Sequence, residues 1–182
     1  MRIDLSNLAR YGHEGRRAGV SLVELLLVVV ILGIVGAIVV PKLSDGSNIT
    51  RENTLKDDLR YVRTQIIVFK AQHSDTAPGF PGGKRTATPS EQEFLHQMTG
   101  FTDEFCNMVG PKADKKLGPY ISSMPKNPLN GLSTILVVPN GSAMPQAGSL
   151  GRTTGWIYKP ATLEFIPNTP GNDSEGTPYV EY

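Results

Sequence analysis

The sequence predicts an α+β fold, in which a long N-terminal α-helix, membrane-spanning in its first half, packs against a small antiparallel β-sheet with long loops. Three observations predict it. An apolar run fills residues 20–40, with Glu24 its only charge. An apolar stripe at helical spacing follows between Leu55 and Phe69. Beyond Ala77, short aromatic and β-branched segments alternate with turn-rich stretches. At 182 residues the chain holds one domain plus an appendage, which excludes a large multidomain enzyme. Eighteen Lys+Arg against 17 Asp+Glu leave a net charge of +1, so no global field marks a nucleic-acid binder and no such partner is expected. Cys106 is the only cysteine and there are three histidines, which excludes a disulfide scaffold and a zinc finger.

The elements follow in order. Residues 1–19 carry Arg2, Arg10, Arg16 and Arg17 against Asp4 and Glu14, a basic segment that would keep the N-terminus cytoplasmic. Residues 20–41 form the membrane-length half of the helix: the run from Val20 to Val40 spans about 31 Å, close to the roughly 30 Å hydrocarbon core. A cleaved secretory signal fits poorly, because the uncharged run from Leu25 to Val40 is longer than such a signal's apolar core and Pro41-Lys42-Leu43 follows it in place of small residues. A plain anchor fits the length but leaves Glu24 unexplained. A carboxylate in the apolar span costs up to about 2.5 to 3.5 kcal/mol at its centre, so it calls for a partner charge or a route to water.

Arg16-Arg17-Ala18-Gly19, then Val20-Ser21-Leu22-Val23-Glu24 and the long apolar run, resembles the class III signal of type IV prepilins and type II secretion pseudopilins. The resemblance implies a leader at residues 1–19, cut by a prepilin peptidase between Gly19 and Val20, with Val20 the N-methylated first residue. It makes Glu24 the assembly glutamate and Pro41 the helix-kinking proline. Val20 departs from the phenylalanine or methionine more common there. The physics is independent of the likeness. A new cationic amine about one turn from a carboxylate, both costly in an apolar medium unless paired, favours pairing between neighbouring subunits at one axial register. Gly33 and Gly36 would lower local bulk for close packing, and ordinary membrane-helix composition is an equally good account of them.

Residues 42–76 read as a soluble amphipathic helix. Leu55, Leu59, Val62, Ile66 and Phe69 recur at steps of four, three, four and three among charged residues, one stripe destined for the core. Ser44-Asp45-Gly46-Ser47 interrupts or bends the helix, which ends near Ser74–Pro78. Residues 77–182 hold 13 Gly and 13 Pro, yet their aromatics argue against disorder. Ser90-Glu91-Gln92-Glu93 has capping-box spacing and starts a short helix through Leu95 and Met98. Ile135–Val138 reads as a strand, and Trp156–Tyr158 with Leu163–Ile166 as a hairpin joined by Lys159–Thr162. Leu117–Ile121, Pro125–Gly131 and Gly155–Tyr158 together resemble, more loosely, the globular half of major pseudopilins.

Within that superfamily many surface pilins close a C-terminal loop with a disulfide, and Cys106 has no partner in the chain, which tilts the resemblance towards a pseudopilin. Major pseudopilins often hold calcium. Asn172-Asp173-Ser174-Glu175-Gly176 offers oxygen ligands, but at spacing far from an EF-hand, and a solvated tail is preferred. No cofactor or metal site is otherwise expected. His96, Asp103 and Cys106 could be cast as base and nucleophile, but nothing in their spacing establishes it, and no catalytic role is expected. Gly79–Gly83 lacks the lysine of a phosphate loop. Gly110–Lys116 is a basic stretch read as a solvated loop. Asn48, Asn140 and Asn172 stand in N-x-S/T patterns, which carry little weight without the host's glycosylation machinery.

The resulting expectation is a non-catalytic subunit of a type II secretion pseudopilus. It would sit single-pass in the inner membrane with its globular part periplasmic, then assemble with itself into a filament. The resemblance supplies the partners: the peptidase, an assembly ATPase, an inner-membrane platform and minor pseudopilins. The rivals are a type IV pilin for adhesion, motility or DNA uptake, and a membrane-tethered periplasmic binding domain.

Overall fold

The computed structural model describes residues 19–114 and 116–182, and only the backbone for residues 38–45. The leader expected at residues 1–19 therefore lies, but for Gly19, outside the described residues. So does the kink expected of the Pro41 ring. The helix α1 (Leu22–Gln72) is followed by α2 (Glu91–Thr99) and three strands, β1 (Ile135–Val137), β2 (Trp156–Lys159) and β3 (Glu164–Pro167). The chain divides after Leu43 into two units.

In the first unit, the side chains of Leu22–Val35 stand open to solvent and make no core. The second unit, from Ser44, has one. Leu55, Leu59, Val62, Ile66 and Phe69 of α1 are all buried, in a cluster with Phe94 and Met98 of α2 and Trp156, Tyr158 and Phe165 of the sheet. This is the α+β arrangement that the pattern implies, a helix stripe covered by a three-stranded sheet.

Three details differ from the expectation. The sheet is mixed: β2 and β3 are antiparallel, with Tyr158 opposite Phe165, but β1 runs parallel to β2, with Ile135 opposite Trp156. A parallel pair needs a long crossover in place of a tight turn, and the stretch from Val138 to Gly155 supplies one. Ser44–Ser47 does not interrupt α1, which runs through it, and just beyond it Thr50 and Thr54 add hydroxyl bonds to the carbonyls of Gly46 and Thr50 one turn back, at 2.8 and 2.9 Å. And α1 ends at Gln72, slightly early, where Ser74 and Asp75 turn to φ of 50° and 62° and Lys70 pairs with Asp75 at 3.0 Å.

The capping box of α2 is half made. The Ser90 hydroxyl accepts from Glu93 N at 3.2 Å, but Ser90 N donates to Gly79 O instead of to Glu93. The hairpin loop is shifted by one residue, to Pro160–Leu163, with Leu163 at φ 61°. The proline-rich stretch is latched by two asparagines. Asn127, fully buried, donates to Gly155 O and Thr169 Oγ1 and accepts from Leu129 N; Asn130 donates to Thr154 O and accepts from Leu132 N. Gly155 is required there, since any Cβ would overlap the Leu132 carbonyl. Trp156, the only tryptophan, is buried and donates its indole N–H to Pro125 O at 2.9 Å.

Candidate functional site

The N-terminal junction is built by a helix start. Gly19, Val20 and Ser21 precede α1 in non-helical backbone, and the Ser21 hydroxyl accepts from Val23 N at 3.3 Å while Leu25 N donates to Ser21 O at 3.1 Å. Ser21 is therefore the N-cap and Glu24 the third helical residue, an S-x-x-E spacing that sequence reading overlooked. In that first turn the helix dipole favours a carboxylate, which offsets part of its cost in an apolar setting. Glu24 is exposed and has no partner among the described residues.

Around it the helix is apolar on every face. Leu22 is 80% exposed, Leu25 and Leu26 61%, and Leu32 64%. A helix apolar all round is made to be surrounded, by lipid or by other helices. A Cβ added to Gly33 or Gly36 would meet nothing within 4 Å, so in the isolated chain neither glycine serves a contact. Among the described residues no helix is long and apolar enough to cross a membrane. The described side chains of the run stop at Ala37, short of its apolar end at Val40 in the sequence.

Residues 15–40 match the family model of the prokaryotic N-terminal methylation motif. No curated protein and no solved structure matches the chain. The matched segment contains Gly19, Val20 and Glu24, and it indicates a type IV pilin-like subunit, processed by a prepilin peptidase and assembled into a filament. Subunits of that class are structural. The motif also accords with a membrane-anchored N-terminal helix before assembly.

The remaining sequence candidates fall elsewhere. His96 is exposed, whereas Cys106 is buried with its thiol pushed up to about 11, first by burial and then by Asp103, so it is a poor nucleophile. Asp103 closes its own loop, accepting from Phe105 N and Asn107 N at 2.9 Å each. Lys116 donates to Pro111 O and lies 4.7 Å over the Phe101 ring; Lys115 lies outside the described residues. Asn48, Asn140 and Asn172 are all exposed.

Asn172–Gly176 is not a solvated tail. Asp173 is almost wholly covered: it accepts from Glu175 N, Thr177 N and the Tyr182 hydroxyl (2.6 Å) and pairs with Lys56 at 3.7 Å. The Tyr182 hydroxyl, with the two backbone N–H groups and Lys56, holds its carboxyl below the usual range. A cation would have to displace donors that already fill both oxygens. The neighbouring Ser174 donates N–H and O–H to the two oxygens of Glu52, at 3.1 and 2.9 Å.

Two buried polar residues on the α1 stripe were missed. Glu52 and His73 continue the apolar stripe at its own spacing, three residues before Leu55 and four after Phe69, and they are 6% and 1% exposed. Glu52 ties down the C-terminal segment. His73 stacks on Phe69 with centroids 3.8 Å apart, and its ring nitrogens reach Phe69 O at 2.7 Å and Thr102 Oγ1 at 2.9 Å. Extending the three-four pattern regardless of polarity would have found both.

Proposed function

We propose that this chain is a structural subunit of a type II secretion pseudopilus. A prepilin peptidase cuts it after Gly19, and the new amino group of Val20 pairs with Glu24 of a neighbouring subunit. The single observation that carries this reading is an exposed carboxylate, unpartnered among the described residues, in the first turn of an exposed apolar helix that lies within the matched segment. Before assembly, residues 20–41 span the inner membrane with the globular part periplasmic. Afterwards the same surface is covered by helices of other subunits, exchanging lipid contacts for packing without a hydrophobic penalty. An assembly ATPase, a membrane platform and minor pseudopilins complete the apparatus in this reading.

The secretion assignment, as against a surface pilus, is supported by Cys106. It is buried and is the only cysteine, so the C-terminal segment is held by Glu52 and Asp173 rather than by a disulfide.

The test is expression with and without a prepilin peptidase. With the enzyme present, the chain should lose residues 1–19, migrate faster on a gel and show an N-methylated Val20 by mass spectrometry. An intact Met1 terminus refutes processing. Glu24→Ala should leave membrane insertion intact and abolish or slow assembly; filaments at normal yield from that variant remove the charge pairing.

A further inference from the structure

Two surface features of the globular unit stand open to solvent among the described residues. The first is a groove of about 370 Å³ beside α1, lined by Lys56, Arg60, Arg63, Thr64, Ile67 and Tyr182. Its floor is apolar, with Ile67 59% exposed, and its rim is basic. Arg63 is half-buried there and gives two N–H bonds to the Phe165 carbonyl, at 2.9 and 2.7 Å, with no carboxylate partner among the described residues. Arg60 meets only Asp57, at 3.6 Å in full solvent, a contact worth little and readily exchanged.

The second is the tip of the loop at residues 103–107. Asp103 cinches this loop through Phe105 N and Asn107 N, and Cys106, at φ 64°, is buried beneath it against Gly83. The tip is thereby held rigid and presents Phe105, 63% exposed, beside Glu104, which is exposed and unpaired among the described residues. A rigid loop offering an aromatic side chain to water has the form of an interface anchor, since aromatics and arginines dominate such contacts and preorganisation lowers the entropy lost on docking.

We propose that the Glu104–Phe105 tip of one copy docks in the basic groove of the next, with Phe105 on the apolar floor and Glu104 against Arg60 and Arg63. The inference rests on the filament reading and names the contact that its globular layer uses. Helical geometry decides between a closed pair and an open array. At about 100° per residue, Lys56, Arg60, Arg63 and Ile67 fall within about 60° of one another, about 110° to one side of the buried stripe. Gln72, which borders the same cleft as Glu104 and Phe105, lies about 100° to the other side. Groove and tip thus occupy opposite flanks, displaced by about 16 Å along α1. A two-fold dimer cannot bring both into one interface, whereas a head-to-tail contact uses each once and propagates into a helical filament.

The test is disulfide crosslinking in the full, processed chain within cells that assemble it. Thr64→Cys at the groove with Asn107→Cys beside the tip should give a ladder of multimers, absent from either single variant. In that double-cysteine background, Arg60→Glu alone and Glu104→Arg alone should each lower ladder yield about five-fold, and the two reversals together should restore it. Single cysteines scanned across residues 25–32 report independently on the filament core. Core crosslinks without the surface ladder, or a double reversal no better than the singles, overturn the docking and leave the filament standing. A closed dimer in place of a ladder overturns the head-to-tail geometry. Absence of core crosslinks overturns the filament reading and this inference with it.

Discussion

Replacing Asn127 by alanine should destabilise the globular unit more than any other substitution of a polar side chain in the proline-rich loop. The side chain is fully buried and makes three bonds, to Gly155 O at 2.8 Å, Thr169 Oγ1 at 3.0 Å and from Leu129 N at 2.9 Å. At about 1 kcal/mol net for each bond, with a further desolvation penalty for partners left unpaired, the loss is about 3 to 4 kcal/mol, a large share of the roughly 5 to 15 kcal/mol typical of a domain. Asn130 provides the control. It is only half-buried, its second donor contact is long at 3.4 Å, and its replacement should cost about 1 to 2 kcal/mol. Trp156 is a built-in reporter, because the only indole in the chain is fully buried in the folded state and bonded to the carbonyl of Pro125, close to Asn127 in the chain. Urea unfolding of the unit from Ser44, followed by its fluorescence, should show the midpoint of Asn127→Ala well below that of Asn130→Ala at equal slope. Equal midpoints, or a loss under about 1 kcal/mol for Asn127→Ala, would refute the claim that this loop is latched chiefly through one buried amide.

Tyr158→Phe should be neutral or stabilising by up to about 1 kcal/mol in the same assay, because the Tyr158 hydroxyl is buried without a hydrogen-bond partner among the described residues; a clear loss of stability would mean that the hydroxyl is satisfied. Alkali should weaken the unit. Burial holds the Tyr120 hydroxyl up to about 12 and the Cys106 thiol up to about 11, against ordinary values of 10.0 and 9.0. The unfolded chain therefore releases both protons first, so their contribution is intact below pH 9 and disappears as pH rises through 12. Cys106→Ala should remove the earlier part of the decline, and an unchanged urea midpoint between pH 8 and 11.5 would contradict the burial of both groups.

The sequence was most legible where one physical demand acted alone. The stripe from Leu55 to Phe69 had to face a core, which follows from its periodicity, and its burial is complete. What escaped was set by contacts distant in sequence. The parallel pairing of β1 with β2 depends on how the chain between them travels, and no local propensity encodes that. Glu52 and His73 escaped because polar residues are discounted at core positions, yet Glu52 meets Ser174 near the far end of the chain, and His73 meets Thr102. At the junction itself, Glu24 was read as an anomaly that calls for a partner charge or a route to water. Its place as third residue after an N-cap serine shows a second, local reason for an acid there.

In the proposed assembly, these two roles of Glu24 belong to different stages. Among the described residues, the first turn of α1 offers the carboxylate only its helix dipole, a favourable field worth about 0.3 to 1 kcal/mol at an exposed terminus. Where the cost of a carboxylate in an apolar span, up to about 2.5 to 3.5 kcal/mol at its centre and less near an end, exceeds that field, Glu24 keeps a demand that a cationic partner can answer. In the proposed processing, removal of the leader puts such a cation on Val20, four residues before Glu24 and just ahead of the helix that carries it. In the proposed filament, pairing with a neighbour's carboxylate neutralises both groups, and each addition exposes the next unpaired amine. In that proposal the charge pair selects axial register and direction of growth, while the apolar faces supply the bulk of the contact. A lysine placed near Glu24 within the same chain, as in Leu27→Lys at the i+3 position, should meet the demand internally and suppress assembly even when cleavage is complete. Normal filaments from cleaved Leu27→Lys would show that the demand of Glu24 for a second chain does not drive polymerisation.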